Sequence, residues 1–179
     1  GLYAVQDNFT APVEDGKWFV MEVIVEGKRV VTKVDGKVII WSVFTEDIKR
    51  ITAALNEEYG QGSAAMYYGE TSADERQDIV EKFQDPSSNL RFFVGQPRTG
   101  GYGLTLTEAK TVIYYNNVYD LEVRLQSEDR AHRIGQKNNV TYIDLVTENT
   151  VEEKILKALR EKIDIATLVM REEYKEWLL

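Results

Sequence analysis

Residues 37–68 read KVIIWSVFTEDIKRITAALNEEYGQGSAAMYY. An apolar run at 38–43, without polar alternation, is what a strand buried on both faces requires. Thr45 then stands as an N-cap candidate ahead of Glu46 and Asp47, and Ile48, Ile51, Thr52 and Leu55 recur at helical spacing until Gly60 stops the pattern. A second apolar run follows at 64–68. Strand, helix, strand in that order predicts a crossover unit joining two parallel strands.

The same rhythm continues downstream. Ser72-Ala-Asp-Glu75 is a capping box that opens a helix through Phe83, and Asp85-Pro86 ends it. The pattern then predicts a strand at 90–94, a short glycine-opened helix at 101–109, and a strand at 111–115. A helix at 120–133 is stopped by Gly135, a strand occupies 140–146, and Thr150-Val-Glu-Glu153 opens a long helix to about residue 177. Five strands alternating with five helices predict an α/β fold in three layers, a mainly parallel sheet flanked by helices on both faces. Upstream, Asp7-Asn8, Pro12 and Asp15-Gly16 mark residues 1–17 as irregular. Two β-rich runs, 18–25 and 28–34, flank Glu26-Gly27 and predict a β-hairpin. The chain therefore divides into an N-terminal extension at 1–36 and a main domain at 37–179.

The 179 residues are 43% hydrophobic, enough for one well-filled core. Cysteine is absent, which excludes a disulfide framework, a thiolate metal site and a cysteine nucleophile. His132 is the single histidine, which excludes a multi-histidine metal site. Twenty-two Lys and Arg against thirty Asp and Glu give a net charge of −8, the opposite of the usual basic footprint of a nucleic-acid binder. The acid is unevenly placed, however: residues 120–140 carry four acids and four bases. The longest apolar runs, 18–21 and 38–41, are far short of the ~20 residues of a membrane-spanning helix. The N-terminus has no basic leader and no initiator methionine, from which we expect a cytosolic chain that begins inside a longer protein.

In a parallel sheet, ligands sit at the carboxyl ends of the strands, so the loops at 42–45, 68–72, 95–103 and 116–120 should carry the chemistry. Gly100-Gly101-Tyr102-Gly103 reads either as a simple tight turn or as backbone freed to approach a phosphate. It is not a phosphate-loop motif. Each Gly-Lys pair (Gly16-Lys17, Gly27-Lys28, Gly36-Lys37) lacks the following Ser or Thr, and no Asp-Glu pair follows a strand to hold Mg2+. The second segment is QSEDRAHRIGQ at 126–136. Gln126, Arg130 and Arg133 are spaced i, i+4, i+7, within about 60° on one helix face. Leu121, Leu125 and His132 fall on another, the expected sheet-packing side. The arginine face reads either as a solvated surface paired with Glu122, Glu128 and Asp129, or as a phosphate site. His132 reads as a structural hydrogen-bond donor in the helix–sheet seam, with a proton-shuttle role as its alternative.

QSEDRAHRIGQ resembles motif VI of the switch/sucrose-nonfermenting branch of superfamily 2 helicases, the double-stranded DNA translocases that include chromatin remodellers. KVIIWSVF (37–44) is similar to motif IV of that family. YGETSADERQDIVEKF (68–83) is similar to the block that follows it, and RTGGYGLTL (98–106) with TVIYYN (111–116) to motif V and its strand. The resemblance covers about residues 37–165, and the wording is nearest the smaller bacterial and phage members. It implies a second RecA-like lobe, in the cytosol of a bacterial or phage-infected cell.

In that family the first lobe carries the phosphate-loop lysine and the Mg2+-binding acids, and the second sends arginine fingers across the cleft. By resemblance, Arg130 and Arg133 are the fingers and Gln126 their polar partner, with Gly101 and Gly103 forming the turn near the nucleotide. Ser42, Thr71 and Arg98 are the expected phosphate contacts on DNA. ATP and Mg2+ belong to the complete two-lobe protein, whose partners are the first lobe and duplex DNA. Three positions depart from the family pattern: Gln96-Pro97 replaces the usual Ser or Thr, Asn116 a common aspartate, and Val43 a frequent glutamine. Two other readings stand beside this one. A non-catalytic RecA-like binding or regulatory module would keep the sheet without the chemistry, and a doubly wound small-molecule enzyme would need an acidic metal site or dinucleotide fingerprint that is missing.

Overall fold

The computed structural model describes residues 2–5, 23–26, 29–32, 36–99, 104–136, 139–147 and 150–162. Its elements run β1 (Leu2–Val5), β2 (Val23–Glu26), β3 (Arg29–Thr32), β4 (Lys37–Trp41), α1 (Thr45–Tyr59), β5 (Ala64–Tyr67), α2 (Ala73–Gln84), β6 (Phe92–Gly95), β7 (Ala109–Tyr114), α3 (Leu121–Asp129) and β8 (Thr141–Thr147). A further helix, α4, is described over residues 151–162.

Every residue of β4 is buried, because the strand lies between β6 and β7 and is covered on both faces. The sheet order is β1-β8-β7-β4-β6-β5. Pairing is parallel throughout except at the β1 edge. Alternation along β4 splits the core. Ile39 and Trp41 join Phe83, Phe93, Val112 and Tyr114 in one cluster, which includes the packed face of α2. Val38 and Ile40 join Ile48, Phe92, Val94 and Ile113 in the other, beneath α1. Three layers therefore follow from the four apolar residues 38–41, which have no polar side to show.

The helix ends follow local chemistry. Ser72 Oγ accepts from Glu75 N at 3.3 Å, and Ser72 N donates back to Glu75 Oε2 at 3.0 Å, so the predicted capping box forms. At the other end of α2, the buried Lys37 ammonium donates to Lys82 O and Asp85 O, occupying carbonyls that the helix leaves open. Burial lowers the Lys37 pKa, although Asp85 and Glu108 pull the other way. The α1 terminus differs from expectation: its N-cap is Phe44 with no side-chain cap bond, and Thr45 is already helical. Glu46 and Asp47 in the first turn complement the dipole there.

Several boundaries move. Residues 2–5, expected to be irregular, form an antiparallel edge strand on β8, with Leu2 opposite Thr147 and Val5 opposite Asp144. The hairpin is described over 23–26 and 29–32, β2 pairing β3 as a separate two-stranded sheet, and the rest of the expected runs lies outside the described residues. The helix expected at 101–109 is not found in its described part: residues 104–106 have no regular structure, β7 begins at Ala109, and 100–103 lie outside the described residues. Helix α3 stops at Asp129, four residues early. Two acids in its last turn oppose the helix dipole, and residues 130–135 continue as turns. At Thr150 the hydroxyl accepts from Glu152 N at 3.3 Å, and Glu152 Oε2 accepts from Thr147 N at 2.9 Å. The helix end expected at 163–177 lies outside the described residues.

Gly95, the last residue of β6, is where close approach matters. A Cβ there would stand 2.7 Å from Tyr67 O, 3.1 Å from Phe93 Cε1 and 3.2 Å from Trp41 Cζ3. Gly95→Ala should therefore push the β5 carbonyl and the Trp41 ring apart, costing about 1–3 kcal/mol. Urea unfolding of the chain checks this as a lower midpoint at unchanged m-value; an unchanged midpoint would show that the strand ends have room to give.

Candidate nucleotide and nucleic-acid interface

The carboxyl ends of the strands are stitched to one another before any functional side chain is placed. Ser42 N donates to Gly95 O and Tyr115 N to Trp41 O, both at 2.9 Å. Asn116 Oδ1 accepts from Val43 N at 2.6 Å and Ser42 Oγ at 3.3 Å, while its Nδ2 donates to Asp47 Oδ2 at 3.1 Å. An aspartate at 116 would set two carboxylates face to face, so the amide is the residue that suits Asp47. Gln96 works similarly: Nε2 donates to Val43 O and Thr45 Oγ1, and Oε1 accepts from Thr99 Oγ1 at 3.0 Å. Two of the three departures from the family pattern thus make bonds of their own.

Of the three expected phosphate contacts, two reach the surface. Arg98 is exposed and pairs with Asp120 at 3.2 Å. Thr71 closes the 68–71 turn, its Oγ1 accepting from Tyr68 N at 3.1 Å. Arg76 fastens the same turn, donating to Tyr68 O and Gly69 O. Ser42 is fully buried, and its hydroxyl bonds Asn116 and the Phe44 amide. That burial corrects the expectation of a direct contact: Ser42 braces the loop from beneath.

The motif VI residues occupy three different settings. Gln126 lies on the exposed side of α3 and donates to Glu122 Oε1 at 2.9 Å. Arg130 is the C-cap and is 8% exposed; its guanidinium lies 5.2 Å from the Trp41 ring centre and donates to Thr99 O. Burial lowers its pKa, with Tyr67 and Tyr114 opposing, and it remains a cation. Arg133 is exposed beyond the helix end and donates to Thr105 Oγ1 at 3.2 Å. One continuous helical face does not carry all three, because α3 ends before Arg130. Nor do Leu125 and His132 pack on the sheet. Leu125 and His132 are exposed and line an open cleft of about 390 Å3 with Glu128, Asp129 and Tyr142. His132 is therefore not a donor in the seam. Gly101 and Gly103 lie outside the described residues.

The side of α3 that packs down carries Arg124 and Ser127. Arg124 is 6% exposed, donates to Asp144 at 2.5 Å, to Glu128 at 2.6 Å and to Asn117 at 2.7 Å, and stacks 3.4 Å from the Tyr114 ring centre. Burial works against its charge, but Tyr114, Asp144 and Glu128 outweigh burial and raise its pKa. Tyr114 is pushed up by burial and shares a 2.7 Å bond with Ser127 Oγ. Beyond the helix, Gln136 Nε2 bonds the carbonyls of Thr107, Ala109 and Ala131, and Leu106 N donates to Arg130 O at 2.8 Å. Sequence reasoning passed over Arg124 and Gln136. The only available signal was an arginine three residues from a position now seen to be buried.

Residues 20–135 match the family described as the helicase conserved C-terminal domain. The chain belongs to that family. Among curated proteins, the transcription regulatory protein SNF2 of Saccharomyces cerevisiae is 44% identical over 97 residues, 54% of this chain and 6% of that protein. The human SWI/SNF-related matrix-associated actin-dependent regulator of chromatin subfamily A member 1 is 39% identical over 104 residues, 58% of this chain and 10% of the relative. Among solved structures, the C-terminal part of the Fun30 ATPase domain superposes with a TM-score of 0.62 at 29% identity, covering 69% of this chain and 39% of that one. The helicase C-terminal fold is the expected RecA-like α/β arrangement, of the SNF2 type. The chain spans only a small fraction of the curated relatives' length. Among the described residues of this helicase lobe, no cluster of three His, Cys, Asp or Glu side chains is placed to hold a metal, and no helix is long and apolar enough to cross a membrane.

Removing Arg124 should damage this lobe more than removing any exposed arginine. Arg124→Ala leaves Asp144 and Glu128 without their cation and should destabilise the chain by about 3–5 kcal/mol. Replacing Arg124, Asp144 and Glu128 together by apolar residues of similar size should be much milder. Chemical unfolding of both variants distinguishes an ion-pair requirement from a simple packing loss.

Proposed function

We propose that this chain is the second motor lobe of an ATP-driven DNA translocase of the switch/sucrose-nonfermenting type. The observation that carries the reading is the pair of arginines at the end of α3. Arg133 is exposed with one hydroxyl partner described, whereas Arg130 is bound to the loop after β6 through Thr99 O. In this reading both act as fingers toward ATP held on the first lobe. Arg133 is the mobile one, and Arg130 is pre-set by the Trp41 ring. Gln126 is their polar partner, and Gly101 and Gly103 form the turn nearest the nucleotide. The phosphate-loop lysine and the Mg2+ ligands belong to the first lobe, since this sequence has neither motif. ATP, when bound, supplies the phosphoryl group and Mg2+ offsets its charge; this lobe's part is to stabilise charge as it develops.

Thr71 and Arg98 grip the DNA backbone, and Ser42 supports the loop beside them. Such contacts hold a duplex without reading bases. The setting in the cytosol of a bacterial or phage-infected cell is likewise our reading, from the wording of 103–107 and 126–136.

The chain alone should show no significant ATPase activity with or without DNA; robust turnover would sink the division of labour between lobes. In a longer protein that includes the first lobe, Arg133→Ala should lower turnover by about 10³–10⁵, the range found for arginine fingers. Near-normal steady-state turnover in that variant would remove Arg133 from the role.

A further inference from the structure

Two cations from distant parts of the chain meet at one dipeptide. Arg98, in the loop after β6, sets Nη2 3.2 Å from Asp120 Oδ2. Lys162, in the last described turn of α4, sets Nζ 4.0 Å from the centre of the Tyr119 ring and donates to Tyr119 O at 3.4 Å. The two anchors are consecutive residues.

Neither contact is needed to hold the fold. Asp120 caps α3 through its other oxygen, Oδ1, which accepts from the amides of Glu122 and Val123. Helix α4 is seated by Leu156 and Leu159, both buried. The Arg98 side chain is 68% exposed and Tyr119 60% exposed. Ion pairs and cation–ring contacts that open to water are weakly held. Both cations can therefore exchange their present partner for a stronger anion at little loss. A large ring kept in water beside a lysine, next to an arginine–carboxylate pair, is also a combination that phosphodiester backbones fit, through charge on two sides and apolar contact between.

We propose that Arg98 and Lys162 form a two-point clamp for the phosphates of one DNA strand, with Tyr119 steadying the lysine and the Asp120 carboxylate holding the arginine's place until a phosphate arrives. Lys162, Tyr119 and Asp120 are additions to the reading given above, and the clamp rests on that reading for Arg98. A phosphate takes the Arg98 Nη2 donor from Asp120 Oδ2, while Oδ1 keeps its cap on α3, so DNA engages without unwinding the helix. The clamp contacts backbone only, and its affinity is independent of base sequence.

The test is a salt series with the 179-residue chain and a short fluorescent duplex, read by anisotropy. Each lost phosphate contact on duplex DNA should reduce the log–log salt slope by about 0.9. We expect that reduction for Arg98→Gln and for Lys162→Gln, about twice as much for the double variant, and none for Lys162→Arg, which keeps the charge. Asp120→Asn preserves an N-cap residue of equal quality and removes the competing charge, so it should tighten binding several-fold. If Arg98→Gln lowers the slope and Lys162→Gln does not, the clamp is wrong and the DNA-grip reading survives. If neither lowers it, both are wrong. An affinity loss in Lys162→Gln at unchanged slope also overturns the clamp, because the residue would then act through the fold.

Discussion

A guanidinium shut away from water beneath α3 fixes how that helix sits on the sheet. Arg124 leaves solvent only because Asp144 on β8, Glu128 one helical turn along and the Tyr114 ring on β7 receive it together. Each partner belongs to a different surface, so satisfying the charge fixes the height and rotation of α3 over two strands at once. An apolar side chain would tolerate a small rotation of the helix. A buried cation between two carboxylates does not, since any slip leaves a charge uncompensated in a medium of low polarity. The path of residues 130–136 inherits that precision, and Gln136 secures its far end by binding three carbonyls.

The same logic accounts for what could and could not be read from the chain. The strands β4, β5, β6 and β7 and helices α1 and α2 were legible because burial there is apolar, and apolar burial leaves a period in the sequence. Helix α3 was misread for the converse reason. Its packed face is Arg124 and Ser127, while Leu125 faces water, so a hydrophobic period points to the wrong side. Charges make a helix face look solvated unless the partners are known, and Asp144 lies on a strand that only the fold brings near. The edge strand at 2–5 was missed for a related reason. A short run pairing along one edge needs no helical or alternating signature, only a free neighbour, here β8.

The candidate site was legible in its residues and less so in its geometry. Motif VI named Gln126, Arg130 and Arg133 without help from three dimensions. It did not reveal that Arg130 would be covered and tied to the loop after β6, while Arg133 stands in water. Loop 96–99 consequently touches three neighbours: Gln96 the α1 entrance, Arg98 the α3 cap and Thr99 the Arg130 guanidinium. In the proposed reading, a displacement of this loop by DNA would be felt directly at Arg130, by contact rather than through intervening structure.

Net charge takes on a different meaning once the cations are sorted by how they are held. A chain at −8 is a poor long-range attractor for an anionic polymer. Yet a cation held as Arg124 is, between Asp144 and Glu128, is spent inside the protein, and the cluster still leaves one net negative charge. In the proposed reading, a phosphate meets cations that have one described anchor residue each: Arg98 on Asp120, Lys162 on Tyr119, Arg133 on Thr105. These residues keep their charge for a partner because the fold makes little use of it. Where a charge can be released matters more to such a surface than how many charges the chain contains, and for that reason an acidic lobe can carry a phosphate-gripping edge.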